Sequence, residues 1–148
     1  DKGNWIVIPT NGVVKTNGEN VMGMGLAQQA KDRFPELPKK LGEKIAAKGN
    51  LVFSFSEYRL FSFPTKKEWR GSSDLKIIEW STKQLVNLIL FQNTAYDIMG
   101  EELITFPIYL PRVGCGNLTG KLQWSEVKTV LDKYLDDRFI AVGEGKGK

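Results

Sequence analysis

The chain has 148 residues, enough for one ordinary domain, and its 41% hydrophobic and 26% charged content fits a folded core better than a disordered tail. With no histidine and a single cysteine it can hold no Ser-His-Asp triad, no Cys-His pair, no His/Cys zinc site and no internal disulfide. Twenty-one Lys and Arg against seventeen Asp and Glu leave a net charge of +4, which suits a phosphate-bearing ligand without demanding a nucleic acid.

Trp5-Ile6-Val7-Ile8 is brief, apolar and β-branched, and reads as a buried strand ended by Pro9. Thr10 to Gly25, with glycines at 12, 18, 23 and 25, reads as a loop that turns sharply or approaches something closely. Leu26, Ala30 and Phe34 then share a helical face until Pro35, and a second helix is predicted over Leu37 to Ala47 with Gly49 beyond its end. Leu51 to Phe55 and Tyr58 to Phe63 are two predicted strands joined by a turn at Ser56-Glu57. Ser81-Thr82-Lys83-Gln84 has the form of a capping box, which predicts a helix beginning there and carrying Leu85, Leu88, Ile89 and Gln92. Leu103 to Tyr109 is a further predicted strand closed by Leu110-Pro111. Ser125 is the predicted cap of a last helix with Val127, Val130, Leu131, Tyr134 and Leu135 on its apolar stripe. Phe139 to Val142 is the final strand, and residues 144–148 are expected to form a flexible tail.

Strands alternate with helices, with no repeat and no low-complexity linker, so residues 1–143 are expected to form a single α/β domain with a mostly parallel sheet and helices on both faces. No apolar run approaches the roughly 18 to 20 residues that a membrane helix needs, and no leader-like segment opens the chain. A cytoplasmic monomer without a membrane partner is the expectation. Ligands of such folds sit beyond the carboxyl ends of the strands. Two glycine-rich loops, 10–25 and 111–123, fall there, and the site is expected between them.

The first loop offers Asn11 and then Val21-Met22-Gly23-Met24-Gly25 at the mouth of a helix. Glycine backbone and a helix N-terminus suit an anion, though such a loop can equally be a plain turn. Asn11 could hold a sugar hydroxyl or stabilise its own turn. The second loop, Pro111-Arg112-Val113-Gly114-Cys115-Gly116-Asn117-Leu118-Thr119-Gly120, has three glycines in seven residues and suits a second phosphate cradle. Cys115 is a tempting nucleophile, but no histidine exists to activate it, and a small residue packed beneath the loop is the plainer reading. In Phe63-Pro64-Thr65-Lys66-Lys67, a lysine with a cationic neighbour can act as a neutral amine nucleophile; two solvated surface lysines are the bland alternative.

Taken together, Ile-Pro-Thr-Asn-Gly from residue 8, Val-Met-Gly-Met-Gly-Leu-Ala from residue 21 and Arg-Phe-Pro from residue 33 resemble the macro domain, an ADP-ribose-binding module of three-layer α/β/α fold. Phe63-Pro64-Thr65-Lys66 with Trp69-Arg70, and Pro111 to Asn117 with Leu122-Gln123-Trp124, are similar to one branch of it. That branch holds the terminal ADP-ribose protein glycohydrolase and the bacterial antitoxin that removes ADP-ribose from DNA. The likeness runs over about residues 5–142. It implies Lys66 as the catalytic residue and Asn11 as the contact to the distal ribose. It also implies that the backbone of Val21–Gly25 and of Gly114–Gly120 wraps the diphosphate and that ribose.

The chain departs from the human-type enzymes after Gly-Cys-Gly. It carries Asn117-Leu118-Thr119-Gly120 where they have an Asp, and this points to the bacterial subgroup. Macro domains also have an earlier strand whose Asp binds the adenine amino group. Here that strand is expected to be missing or very short, and no residue is assigned to adenine. The resemblance implies no cofactor and no metal. The expected activity is release of ADP-ribose from DNA or protein. The alternatives are ADP-ribose-1″-phosphate phosphatase action, or a reader that binds ADP-ribose without turnover.

Overall fold

A computed structural model describes residues 3–68, 71–100, 103–116 and 121–143. Nine elements follow in the order β1 (Trp5–Thr10), α1 (Gly25–Arg33), α2 (Leu37–Lys48), β2 (Phe53–Phe55), β3 (Leu60–Pro64), α3 (Leu75–Met99), β4 (Ile108–Pro111), α4 (Trp124–Asp132) and β5 (Phe139–Val142). The five strands form one sheet in the order β2-β3-β1-β4-β5, parallel throughout except for the β2/β3 hairpin. The expected mixed, mostly parallel α/β architecture is therefore the observed one.

The alternation of side chains along the strands divides the apolar residues between two cores. Val7, Phe61, Phe63, Ile108 and Leu110 pack with Ile78, Leu85 and Ile89 of α3 and Val127 and Leu131 of α4. Ile8, Leu60, Phe53 and Phe55 pack on the opposite face with Leu37, Leu41 and Ile45 of α2 and Ala30 of α1. Helices cover both faces because both faces are apolar.

Four boundaries differ from the sequence reading, each for a local reason. β1 runs through Pro9 to Thr10. The Ile6 N–H and the Thr10 carbonyl bond toward β3, so Pro9 faces β4, where pairing has already stopped at Ile6 and an N–H is not needed. The helix expected from Ser81 begins at Leu75, because Asp74 caps it by accepting the Lys76 N–H at 2.8 Å. Ser81 and Thr82 are buried inside α3, where Thr82 Oγ1 donates to the Ile78 carbonyl at 2.7 Å. The strand expected over Leu103–Tyr109 is displaced to Ile108–Pro111. Asn93 takes the backbone of Ile104 instead, accepting its N–H at 2.7 Å and donating to its carbonyl at 3.2 Å, which replaces a ladder pairing. Finally, α4 starts at Trp124 with Gln123 as its cap position, so Ser125 lies in the first turn and does not cap.

Candidate functional site

The parallel strands β1, β3 and β4 end together at Thr10, Pro64 and Pro111, and the loops that leave them enclose a cleft of about 1360 Å³. Both loops singled out in the sequence reach it. Its lining includes Asn11, Val21, Gly23, Met24 and Gly25 from the first, and Pro111, Arg112, Gly114, Cys115 and Gly116 from the second, with Lys66 between them. Met22 and Val113 turn their side chains into the two cores, at 3% and 0% exposure, so these two can meet a ligand only through backbone. Asn117, Leu118, Thr119 and Gly120 lie outside the described residues, as do Trp69 and Arg70.

Lys66 follows directly on β3, and the chain on either side of it is clamped. Thr65 N–H donates to the Thr10 carbonyl at 3.0 Å, Gly12 N–H donates to the Lys67 carbonyl at 2.8 Å, and Asn50 Nδ2 donates to the Lys66 carbonyl at 3.2 Å. The Lys66 side chain is buried, and its Nζ donates to the Gly71 carbonyl at 2.8 Å. Burial, and after it the like charge of Lys121, holds this amine below the ordinary lysine range. The cationic neighbour is thus Lys121 from the second loop. Lys67, the neighbour in sequence, is exposed. The solvated-pair alternative fails for Lys66.

Asn11 does what a turn residue does. Its Nδ2 donates to the Val21 carbonyl at 2.9 Å, while its Oδ1 accepts from Val13 N–H at 3.0 Å and from Asn20 Nδ2 at 3.1 Å. Asn20 is almost fully buried and also donates to the Asn11 and Val13 carbonyls, so it is the hub of the first loop. The sequence gave no signal for it beyond its residue type. The loop delivers the N-terminus of α1 to the cleft through Gly25, Leu26 and Ala27, with no side-chain cap and no acidic residue in its first turn. Such an end presents partial positive charge to an anion.

The second loop is shaped by packing. Gly114 has φ +77°, and a Cβ there would stand 2.7 Å from Ile78 Cδ1, so only glycine brings the loop this close to α3. Burial pushes the Cys115 thiol up, which leaves it protonated and supports its reading as a packed small residue. Arg112 stacks over the Trp124 ring at 5.3 Å. Lys15, Thr65, Ser73, Lys121, Gln123 and Trp124 also line the cleft. The cations Lys15, Lys66, Arg112 and Lys121 share it, and among the described residues no Asp or Glu lines it. A smaller hollow of about 420 Å³ beside α4 and β5 carries Asp132, Asp136 and Asp137 and would repel a phosphate.

Similar proteins carry the same arrangement of fold. No family profile matches the chain. A DNA ADP-ribosyl glycohydrolase of Thermus aquaticus is 33% identical over 145 residues, and one of Mycobacterium tuberculosis is 31% identical over 139. These matches cover 91% and 87% of this chain but only 37% and 36% of the relatives, so the chain spans little more than a third of their length. Among solved structures, the macrodomain of Mycobacterium tuberculosis DarG superposes with TM-score 0.71 at 25% identity, covering 97% of this chain and 89% of that one. The macrodomain of Thermus aquaticus DarG gives 0.70 at 28%, covering 97% and 91%. Thermosipho africanus DarTG, solved in complex with ADP-ribose, gives 0.67 at 22% identity, covering 98% of this chain and 39% of that one.

A parallel sheet flanked by helices, with two glycine-rich loops closing over its carboxyl edge, makes this chain a macro domain. Within that class it belongs with the macrodomains of the DarG type, which the spacing of its three motifs had already indicated.

Proposed function

We propose that this macro domain binds ADP-ribose and releases it by hydrolysis from modified DNA, with Lys66 as the nucleophile and the two loops as the phosphate and ribose cradle. The observation that carries the reading is Lys66 itself: a buried amine, clamped at the carboxyl edge of the sheet in a cleft whose charged lining is cationic among the described residues. The names of the Thermus and mycobacterial relatives support the substrate, and the ADP-ribose held by the Thermosipho protein supports the ligand.

In this reading the neutral amine of Lys66 attacks C1″ of the distal ribose. The new C–N bond forms as the glycosidic bond breaks, and the amine proton passes to the departing base nitrogen. Water then attacks C1″, the C–N bond breaks, and free ADP-ribose and Lys66 are restored. The diphosphate lies against the α1 N-terminus and the Gly114–Gly116 backbone, with Arg112 and Lys15 supplying charge. Asn11 acts on the ribose by shaping the first loop. The site is built from one copy of the chain, which supports a monomer, and the lone thiol of Cys115 is compatible with a reducing cytoplasm.

The test is parallel incubation with ADP-ribosylated DNA, ADP-ribosylated protein and ADP-ribose-1″-phosphate. Turnover of the DNA conjugate is expected, together with an ADP-ribosyl adduct on Lys66 that borohydride traps in its ring-opened imine form. Turnover of the phosphate alone would make the domain a phosphatase, and ADP-ribose binding without any turnover would make it a reader.

A further inference from the structure

Lys121 is the residue of the cleft that the motifs do not explain. It holds φ +67°, in the left-handed region that a lysine adopts only at a cost of the order of 1 kcal/mol. The backbone around it fixes this conformation: Lys121 N–H donates to the Gly116 carbonyl at 2.9 Å, and Leu122 N–H donates to the Gly114 carbonyl at 2.9 Å. The loop is thereby folded back on the Gly114–Gly116 segment, and Lys121 stands on the wall of the cleft that holds Lys66.

The other groups around Lys66 make the effect of this placement one-directional. The loop after β1 contributes Lys15 to the cleft and the loop after β4 contributes Arg112, both cationic. Asp74, at the start of α3, directs its carboxylate to its own helix, accepting from Lys76 N–H. Cys115, the remaining titratable group of the cleft, is protonated. Lys67 and Glu68, next along the chain, are exposed.

We propose that Lys121 is a positioning residue for Lys66, whose like charge keeps the Lys66 amine in the neutral, nucleophilic form. The proposal rests on the hydrolytic reading for its consequence and on the cleft geometry for its cause. An ammonium cannot attack C1″, so each charge that disfavours the protonated form enlarges the reactive fraction near neutral pH. Burial of Lys66 acts in the same direction and as the larger cause, which leaves Lys121 to trim the value.

The experiment compares wild type with Lys121→Met and Lys121→Arg by two readouts. The first is an NMR titration of the Lys66 side chain, which needs no substrate. Lys121→Met is expected to move the Lys66 midpoint to higher pH by roughly half a unit to one unit, while Lys121→Arg stays near wild type. The second is the pH profile of kcat/KM on ADP-ribosylated DNA, whose rising limb should shift by the same amount. An unchanged Lys66 midpoint in a folded Lys121→Met protein overturns the proposal whatever the activity. A shifted midpoint with no turnover in any variant upholds the coupling and overturns the hydrolytic reading instead.

Discussion

The Ser81 hydroxyl, about two turns into α3, donates to the carbonyl of Pro64 at 2.7 Å and so ties the helix to the last residue of β3. Two residues further on stands Lys66. The bond therefore sets the height at which the strand delivers its amine to the cleft, and it does so from a side chain that is fully buried. Ser81→Ala leaves the Pro64 carbonyl buried without this donor, at a cost of about 1–3 kcal/mol. Urea denaturation should read that loss. Activity should fall further than stability does, because Lys66 loses its register; an unchanged kcat in the folded fraction would show that the clamps at Thr65 and Lys67 suffice.

This bond also marks where the sequence was misleading. Ser81-Thr82-Lys83-Gln84 satisfies a local rule for a helix start, yet Asp74 had already capped the helix and Ser81 is used across the fold. The strands around Val7 and Phe61 and the stripe of α4 were legible because their periodicity is a property of neighbours in sequence. Lys66 and the two glycine loops were legible as motifs. The neighbour that tunes Lys66 was not: sequence proximity suggested Lys67, while the loop after β4 brings Lys121 across some fifty-five positions. The hub role of Asn20 was equally hidden, since its three hydrogen-bond acceptors are atoms that only the folded loop gathers.

Lys66 itself separates charge from nucleophilicity. Lys66→Ala is expected to abolish turnover while ADP-ribose affinity stays within a few fold, since the phosphate cradle is built elsewhere. Lys66→Arg is expected to be nearly as inactive, because a guanidinium stays charged. Calorimetric titration beside a turnover assay checks both. Partial rescue by arginine would assign Lys66 an electrostatic role.

The same burial makes Lys66 a stability liability with a definite pH window. Its folded value lies below the ordinary 10.5, so between the two values the unfolded chain binds more protons than the folded one. Stability contributed through this group therefore rises with pH across that window, and below the folded value the cost of burying an ammonium is fully felt. Lys66→Met should accordingly raise the melting temperature near pH 7, and the gain should fade as pH climbs toward 10.5. Melting curves of both proteins across that range decide it. A gain that is constant with pH would trace to packing instead of charge.

Binding can be tested away from the catalytic amine at Gly23. This glycine lines the cleft, and a Cβ built on it meets nothing within 4 Å, so a side chain is accommodated without disturbing the fold. Gly23→Glu should leave stability within about 0.5 kcal/mol of wild type. The new carboxylate would stand next to the uncapped α1 N-terminus, where the diphosphate is placed, and would both occupy that positive end and repel the ligand. Wild-type protein at 100 times Kd of ADP-ribose should gain about 2.7 kcal/mol of stability, and the variant should gain almost nothing at the same ligand concentration. Gly23→Ala is the control: it adds bulk without charge and should retain most of the shift. If Gly23→Glu binds as well as wild type, the α1 end is not the phosphate site and the cations of the second loop must hold the diphosphate alone.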